Sequence, residues 1–249
     1  NTTDKIRYAA WFPRVDNSNY LSNEDGTKLT FTIPTTGDLD ILYSDVVEGT
    51  MSTGFDVMEF KHALSLFRIY AYSSSASVNW GSITSLELTD MPDKCTITLP
   101  SAHEPVSKRD HAIAYSKTTA EGITLTHVNP GVKVPDGFNN KAFIKEWIAA
   151  PATIETLKGL NISVTTVSDE TTKENSISIA QNFQPGYAYD IVLRFSDNGV
   201  INAEVKISDW PDGGNINSDI SISETFFNLS ANGTSNCYIV SSANFSYCF

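Results

Sequence analysis

Positive charge is in short supply. Lys and Arg number 17 against 29 Asp and Glu, which gives a net charge of −12 and a pI near 4.6. A field of that sign repels DNA, RNA and an anionic membrane surface, so nucleic-acid binding is not expected. Long apolar runs are missing too: nothing approaches the roughly 18 uncharged apolar residues of a transmembrane helix. Cysteine is limited to Cys95, Cys237 and Cys248. Their spacing matches neither a zinc ribbon nor a CxxC redox pair. An odd count argues against a disulfide framework, although Cys237 and Cys248 would pair if their strands met. Recognisable chemistry is equally sparse. His62, His103, His111 and His127 form no HExxH and no close metal pair. There is no Gly-x-Ser-x-Gly elbow, no catalytic surrounding for a cysteine and no glycine-rich phosphate loop. The gap from His103 to His111, beside Asp110, and the oxygen-rich stretch from Asp16 to Gly26, which lacks EF-hand spacing, read as solvated loops. No catalytic residue, metal or cofactor is therefore expected, and the protein is not read as an enzyme. The sequence begins Asn-Thr-Thr-Asp with no targeting segment, as a processed or trimmed product would.

What is present is alternation. Apolar residues make up 41% and charged residues 18%, enough for a real core in 249 residues. Leu29, Phe31 and Ile33 alternate with Thr30 and Thr32; Cys95, Ile97 and Leu99 alternate with Thr96 and Thr98. Leu160, Ile162 and Val164 repeat the pattern, as do Ile177 and Ile179. This is the signature of strands with one face in a core and one in water. The strongest signal is a long hairpin. Tyr187, Tyr189, Ile191, Leu193 and Phe195 lead into Asp197-Asn198-Gly199, and Ile201, Ala203, Val205 and Ile207 return in phase. Residues 59–72 read better as strand than helix, with a one-residue phase change between Leu66 and Phe67 attributable to a bulge. Short helical turns are expected at Ala142–Ile148 and Ile154–Leu160. The class is all-β, with many short strands and polar loops, hence sandwiches.

Composition suggests three parts: an N-terminal block over 1–54, a second unit over 55–214 beginning after the small, polar Gly49–Gly54, and a C-terminal segment over 215–249 beyond Pro211–Asn215. The last part is strongly apolar, with Ile220, Ile222, Tyr238, Val240, Phe245, Tyr247 and Phe249 among its residues. Left free, such a segment would be an aggregation hazard, so it should pair with a sheet. Trp11, Trp80, Trp147 and Trp210 are the candidates for stacking on sugar rings if exposed, and for core if not.

Three ordered groups of residues resemble the fimbrillin-like family of pilins and adhesins from Gram-negative anaerobes. The first runs from Arg7-Tyr8-Ala9-Ala10-Trp11-Phe12-Pro13 through Leu29–Ile33 to Asp38-Leu39-Asp40-Ile41-Leu42-Tyr43, with Tyr43-Ser44 where the family usually has a small residue. The second is Phe60-Lys61-His62-Ala63-Leu64-Ser65. The third is Pro185-Gly186-Tyr187-Ala188-Tyr189, then the hairpin, then Ile207-Ser208-Asp209-Trp210, followed by Asn228 to Val240 (NLSANGTSNCYIV). The resemblance implies two transthyretin-like β-sandwich domains, the N-terminal one incomplete. It also implies a fimbrial subunit or surface adhesin, an outer-membrane-associated location reached as a lipoprotein precursor, and no catalytic residues. The implied partners are other pilus subunits, joined by β-strand addition, and a ligand on a host or bacterial surface. Residues 218–249, with Ile220, Ile222, Tyr238, Val240, Phe245, Tyr247 and Phe249, become the strand-donor segment. The alternative is a surface carbohydrate-binding β-sandwich module with Trp11, Trp80 or Trp147 as its platform.

Overall fold

The computed structural model describes residues 6–13, 20–22, 28–50, 52–54, 58–74, 78–99, 111–152, 159–197, 199, 201–210, 239–242 and 245–248. Their order is β1 (Ile6–Phe12), β2 (Tyr20–Ser22), β3 (Lys28–Thr32), β4 (Leu42–Ser44), β5 (Val47–Gly49), β6 (Phe60–His62), β7 (Ser65–Ser73), β8 (Ser82–Met91) and β9 (Lys94–Thr98). There follow β10 (Ala112–Ser116), β11 (Ile123–Lys133), β12 (Ala142–Ala149), β13 (Leu160–Ser168), β14 (Thr171–Ile179), β15 (Tyr187–Phe195), β16 (Ile201–Asp209), β17 (Ile239–Ser242) and β18 (Phe245–Cys248). The only helical element among the described residues is a 3-10 turn at Phe138–Asn140. The fold is all-β.

These strands form four sheets. The first has the order β17-β18-β1-β4-β6, with β5 also beside β1, and the second has the order β10-β9-β3-β2. Trp11, Leu29, Phe31, Ile33, Ile41, Leu64, Cys95 and Ile97 form one core between them. The third sheet, β11-β8-β13-β14, and the fourth, β12-β7-β15-β16, enclose a larger core that includes Phe67, Ile69, Leu86, Leu88, Trp147, Ile162, Tyr189 and Phe195. Each core is thus the shared inner face of two packed sheets, which is sandwich architecture.

Sheet pairing crosses the expected boundary after residue 54. Strand β9 follows β8 in the chain but pairs with β3, so that Leu29 faces Ile97 and Phe31 faces Cys95, and β10 pairs with β9. The C-terminal strands also return to the first sheet, where Ala9 is partnered by Cys248 and Trp11 by Ser246.

Two local expectations are corrected. The phase change in residues 59–72 is not a bulge within one strand. It is the passage from β6 in the first sheet to β7 in the fourth, by way of Ala63 and Leu64, both fully buried. Ala142–Ile148 is not a helical turn but lies in β12. A true bulge between Phe143 and Lys145 lets Ile144 and Trp147, three apart as on a helix, both reach the core. Of the turn expected at 154–160, only Gly159 and Leu160 are described, and Leu160 opens β13. The long hairpin forms as expected: β15 and β16 pair from Tyr187↔Asp209 to Phe195↔Ile201, and Gly199 takes φ +80° in the turn.

Candidate functional site at the joint between the sandwiches

Three segments that carry the sequence resemblance, 38–43, 60–65 and 185–210, lie far apart in the chain and meet in one place. Leu42 of β4 pairs with His62 of β6, and next to them the Ala63 N–H donates to the Ile41 carbonyl at 2.7 Å. The Tyr115 hydroxyl, from β10, donates to the Ala63 carbonyl. The Gly186 N–H donates to the Leu64 carbonyl at 2.8 Å, and the Ser65 hydroxyl donates to the Gln184 carbonyl at 2.8 Å. Gly186 takes φ +79°, which only glycine adopts freely, and so brings its N–H to the linker. This crossing between the two sandwiches therefore has its backbone groups bonded from three directions, as burial demands. A loose connection would carry solvated polar residues; this one is Ala63-Leu64.

His62 and Trp210 close the joint. His62 Nδ1 lies 2.8 Å from Asp40 Oδ2, with about a fifth of each side chain exposed. The carboxylate accepts, so Nδ1 carries the proton. The other side of the imidazole is covered by Trp210, with ring centroids 4.1 Å apart and planes within 7°. His62 is thus a hydrogen-bonded, half-buried residue on the rim of the apolar face. Trp210 is the first residue after β16, where the chain leaves the second sandwich. The stack pins that exit to the first sandwich. We expect His62→Ala to cost about 1–2 kcal/mol in urea unfolding, from a charge-assisted hydrogen bond and a ring stack discounted for partial exposure. It should also change Trp210 fluorescence without reducing strand content by circular dichroism.

Ser44 explains the departure at the end of β4. It is fully buried, and its hydroxyl accepts the Ala10 N–H at 2.9 Å while donating to the Asp45 carbonyl at 3.1 Å. The hydroxyl takes a bond that the sheet ladder would otherwise make, so a small polar residue fits there. Cys95 lies in the first core, and burial pushes its thiol up to about 12. Tyr115, half-buried, is raised well above the usual phenol range, first by desolvation and then by Cys95 and Tyr43. Both are packing groups held neutral, not reactive ones.

The tryptophan platform is overturned. Trp11, Trp80 and Trp147 are only 2%, 3% and 1% exposed, and Trp210 is covered on one face by His62. Large aromatic area buried in the cores outweighed any surface role. His103 and Asp110 lie outside the described residues, as does most of 16–26, and His111 stacks near Tyr43 at 5.4 Å. Among the described residues no three His, Cys, Asp or Glu side chains are grouped to hold a metal. A shallow depression of about 530 Å³ is lined by Pro92 and residues 115–120, and its one charged side chain, Lys117, is held by Asp90.

Of the expected donor residues, Val240 lies in β17, and Phe245 and Tyr247 lie in β18. Ile220, Ile222, Tyr238 and Phe249 lie outside the described residues. The two strands form a hairpin, Ile239↔Cys248 to Ser242↔Phe245, laid antiparallel along β1. No local signal marks the joint, rather than a strand face, as the place where the motifs converge; contacts between residues more than 100 apart, such as Ser65 with Gln184, leave no local pattern.

Tandem β-sandwich packing, with a bonded joint and a C-terminal hairpin returning to the first strand, defines the class of protein. The chain belongs to the fimbrillin-like family, whose sequence profile matches residues 2–210. Solved structures share the fold. One is a Bacteroides uniformis protein assigned to cell adhesion, with TM-score 0.55, 18% identity, and coverage of 83% of this chain and 73% of that one. Another is a Bacteroides ovatus protein with the same assignment, with TM-score 0.51, 14% identity, and coverage of 83% and 68%. No curated protein sequence matches. Among the described residues no helix is long and apolar enough to cross a membrane.

Proposed function

We propose that this protein is a fimbrial subunit or surface adhesin, structural rather than catalytic, that joins its neighbours by β-strand addition. The exchangeable element in this reading is the C-terminal segment, with Ile220, Ile222, Tyr238, Val240, Phe245, Tyr247 and Phe249 as its apolar residues. Its place is the outer membrane or a fimbrium anchored there, and a host or bacterial surface ligand completes its partners. The two units are a first sandwich completed by the C-terminal hairpin and a second sandwich that carries the joint.

The observation that supports this best is the pairing of β18 along Ala9–Trp11. A strand that comes from the far end of the chain and completes the sheet beside β1 can be replaced by the same strand of another copy, with the same backbone bonds. Residues 211–238 could span roughly 90 Å if extended, ample to reach a neighbour. Repeated head to tail, that exchange builds an open filament.

The test is removal of residues 215–249. The truncated protein should stay monomeric in size-exclusion chromatography and form no filaments by negative-stain electron microscopy under conditions in which the full chain assembles. It should still be capable of accepting a synthetic peptide of residues 236–249. Filaments from the truncated chain would refute the donor role.

A further inference from the structure

The outer face of the fourth sheet carries a cluster with no role in either core. The alternation that sends Phe67, Ile69 and Ala71 inward sends Arg68, Tyr70 and Tyr72 outward, and Asp190, Val192 and Arg194 stand beside them in register on β15. At the β12 edge, Phe143 is 50% exposed and meets Tyr70 edge to face at 5.6 Å. Phe138, 47% exposed, meets Tyr72 at 5.5 Å and 87°. Lys141 Nζ sits between the pairs, 4.6 Å from the Phe138 ring centre and 5.5 Å from that of Tyr70. Two exposed rings, Phe138 and Phe143, the half-buried Tyr70 and a cation thus form one patch, with the buried Tyr72 beneath Phe138, and apolar rings are a costly thing to leave in water without use.

The charges around the patch are unusual for this protein. Against a net charge of −12, the patch presents Lys141 and, beside Tyr72, Arg194. Arg68 is neutralised by Asp190 at 2.6 Å, but Arg194 has no ion-pair partner among the described residues, and its Nε is buried without a hydrogen bond. By register the acids of this face are Asp190, held by Arg68, Glu146, opposite Arg68 on β12, and Glu204, opposite Val192 on β16; none lies in the Tyr72–Arg194 row, and Asp136 is two residues before Phe138.

We propose that this face binds an acidic glycan bearing carboxylates. The apolar C–H face of a sugar ring packs on Phe143 and Phe138, and Lys141 and Arg194 take the carboxylate. Ring faces supply the apolar contact that a sugar needs, and two cations at the Phe138 end, without an ion-pair partner among the described residues, supply the charge complementarity that selects an acidic one. Neutral glycans would gain the stacking without the ion pair. The face lies on the second sandwich, away from β1 and β18, so binding is read on single copies and does not depend on strand exchange.

The test is titration of the full chain with 3′-sialyllactose, trigalacturonate and a hyaluronan tetrasaccharide, against lactose, maltotriose and a hexaglutamate peptide. At least one acidic sugar should bind tenfold or more tightly than the neutral ones, and the affinity should fall as salt is raised. Phe143→Ala and Lys141→Glu should each weaken it tenfold or more, and Asp136→Asn should strengthen it. Both side chains of the first two variants are on the surface, and unchanged thermal melts will show that the fold is kept. If Phe143→Ala fails to fold, Lys141→Glu decides. The proposal is overturned if none of the acidic sugars binds, if neutral sugars bind as well, if hexaglutamate binds equally (an acidic protein partner instead), or if binding survives both substitutions.

Discussion

Trp147→Ala should cost about 3–5 kcal/mol, the range for truncating a fully buried large aromatic. For a chain of this size that is roughly a 6–20 °C fall in melting temperature. Trp147 is 1% exposed on β12 and belongs to the larger core. Its indole also supports a turn of the first sandwich. Gly37 takes φ +66°, and a Cβ placed there would stand 2.3 Å from Trp147 Cδ1. The Gly37 carbonyl accepts the Ile148 N–H at 2.7 Å. Gly37→Ala should therefore cost about 2–4 kcal/mol, part from the left-handed backbone and part from the clash. The cycle separates the parts. Once Trp147 is Ala the ring contacts are gone and only its Cβ remains, 3.2 Å away, so Gly37→Ala should cost little more than the backbone strain of about 1–2 kcal/mol. A coupling of at least about 1 kcal/mol in urea unfolding is expected. Strict additivity would mean that the turn and the indole do not press on one another.

The same region shows how far local pattern reaches. The strands were legible wherever one face is wet and one is dry, as in β3, β9 and β13. The β15–β16 hairpin was legible together with its register, because its turn is local and its pairs are few residues apart. Trp147 was not legible as a strand residue, since the bulge at Phe143–Lys145 imposes a three-residue spacing that imitates a helix. Nor was the parallel pairing of β7 with β15, Ala188↔Leu66 through Phe195↔Ser73. It joins strands separated by most of the second sandwich, and nothing in either strand names the other. The interleaving of β9 with β3 is hidden for the same reason: two alternating segments advertise that each is half-buried, not against what. Within the joint, the sequence placed His62 in the Phe60–Ser65 group that carries the family resemblance. Asp40 and Trp210 as its partners emerge only from the meeting of three distant segments.

Fixing the C-terminal hairpin to its own β1 should abolish assembly altogether. Ala9 and Cys248 are direct cross-strand partners. Antiparallel partners lie about 4.5–5.5 Å apart at Cα, inside the range that a disulfide spans. Ala9 is a small buried residue, so Ala9→Cys changes the volume by one sulfur atom. In a Cys237→Ser background, only the new thiol and Cys248 should be available at neutral pH, because burial has pushed the Cys95 thiol up to about 12. Oxidised, the variant should remain monomeric at concentrations that polymerise the parent, since a strand tied to its own sheet is neither free to leave nor replaceable. Reduction should restore filaments to the parent level in the same sample. Peptide mapping identifies the 9–248 bond. Cys248→Ser in the same background should assemble whether or not oxidant is present. Undiminished filaments from the oxidised, fully cross-linked protein would exclude β18 as the exchanged strand. Attention would then pass to β10, an edge of the second sheet whose exposed positions, Ala112, Ala114 and Ser116, carry none of the charges that keep edges from pairing.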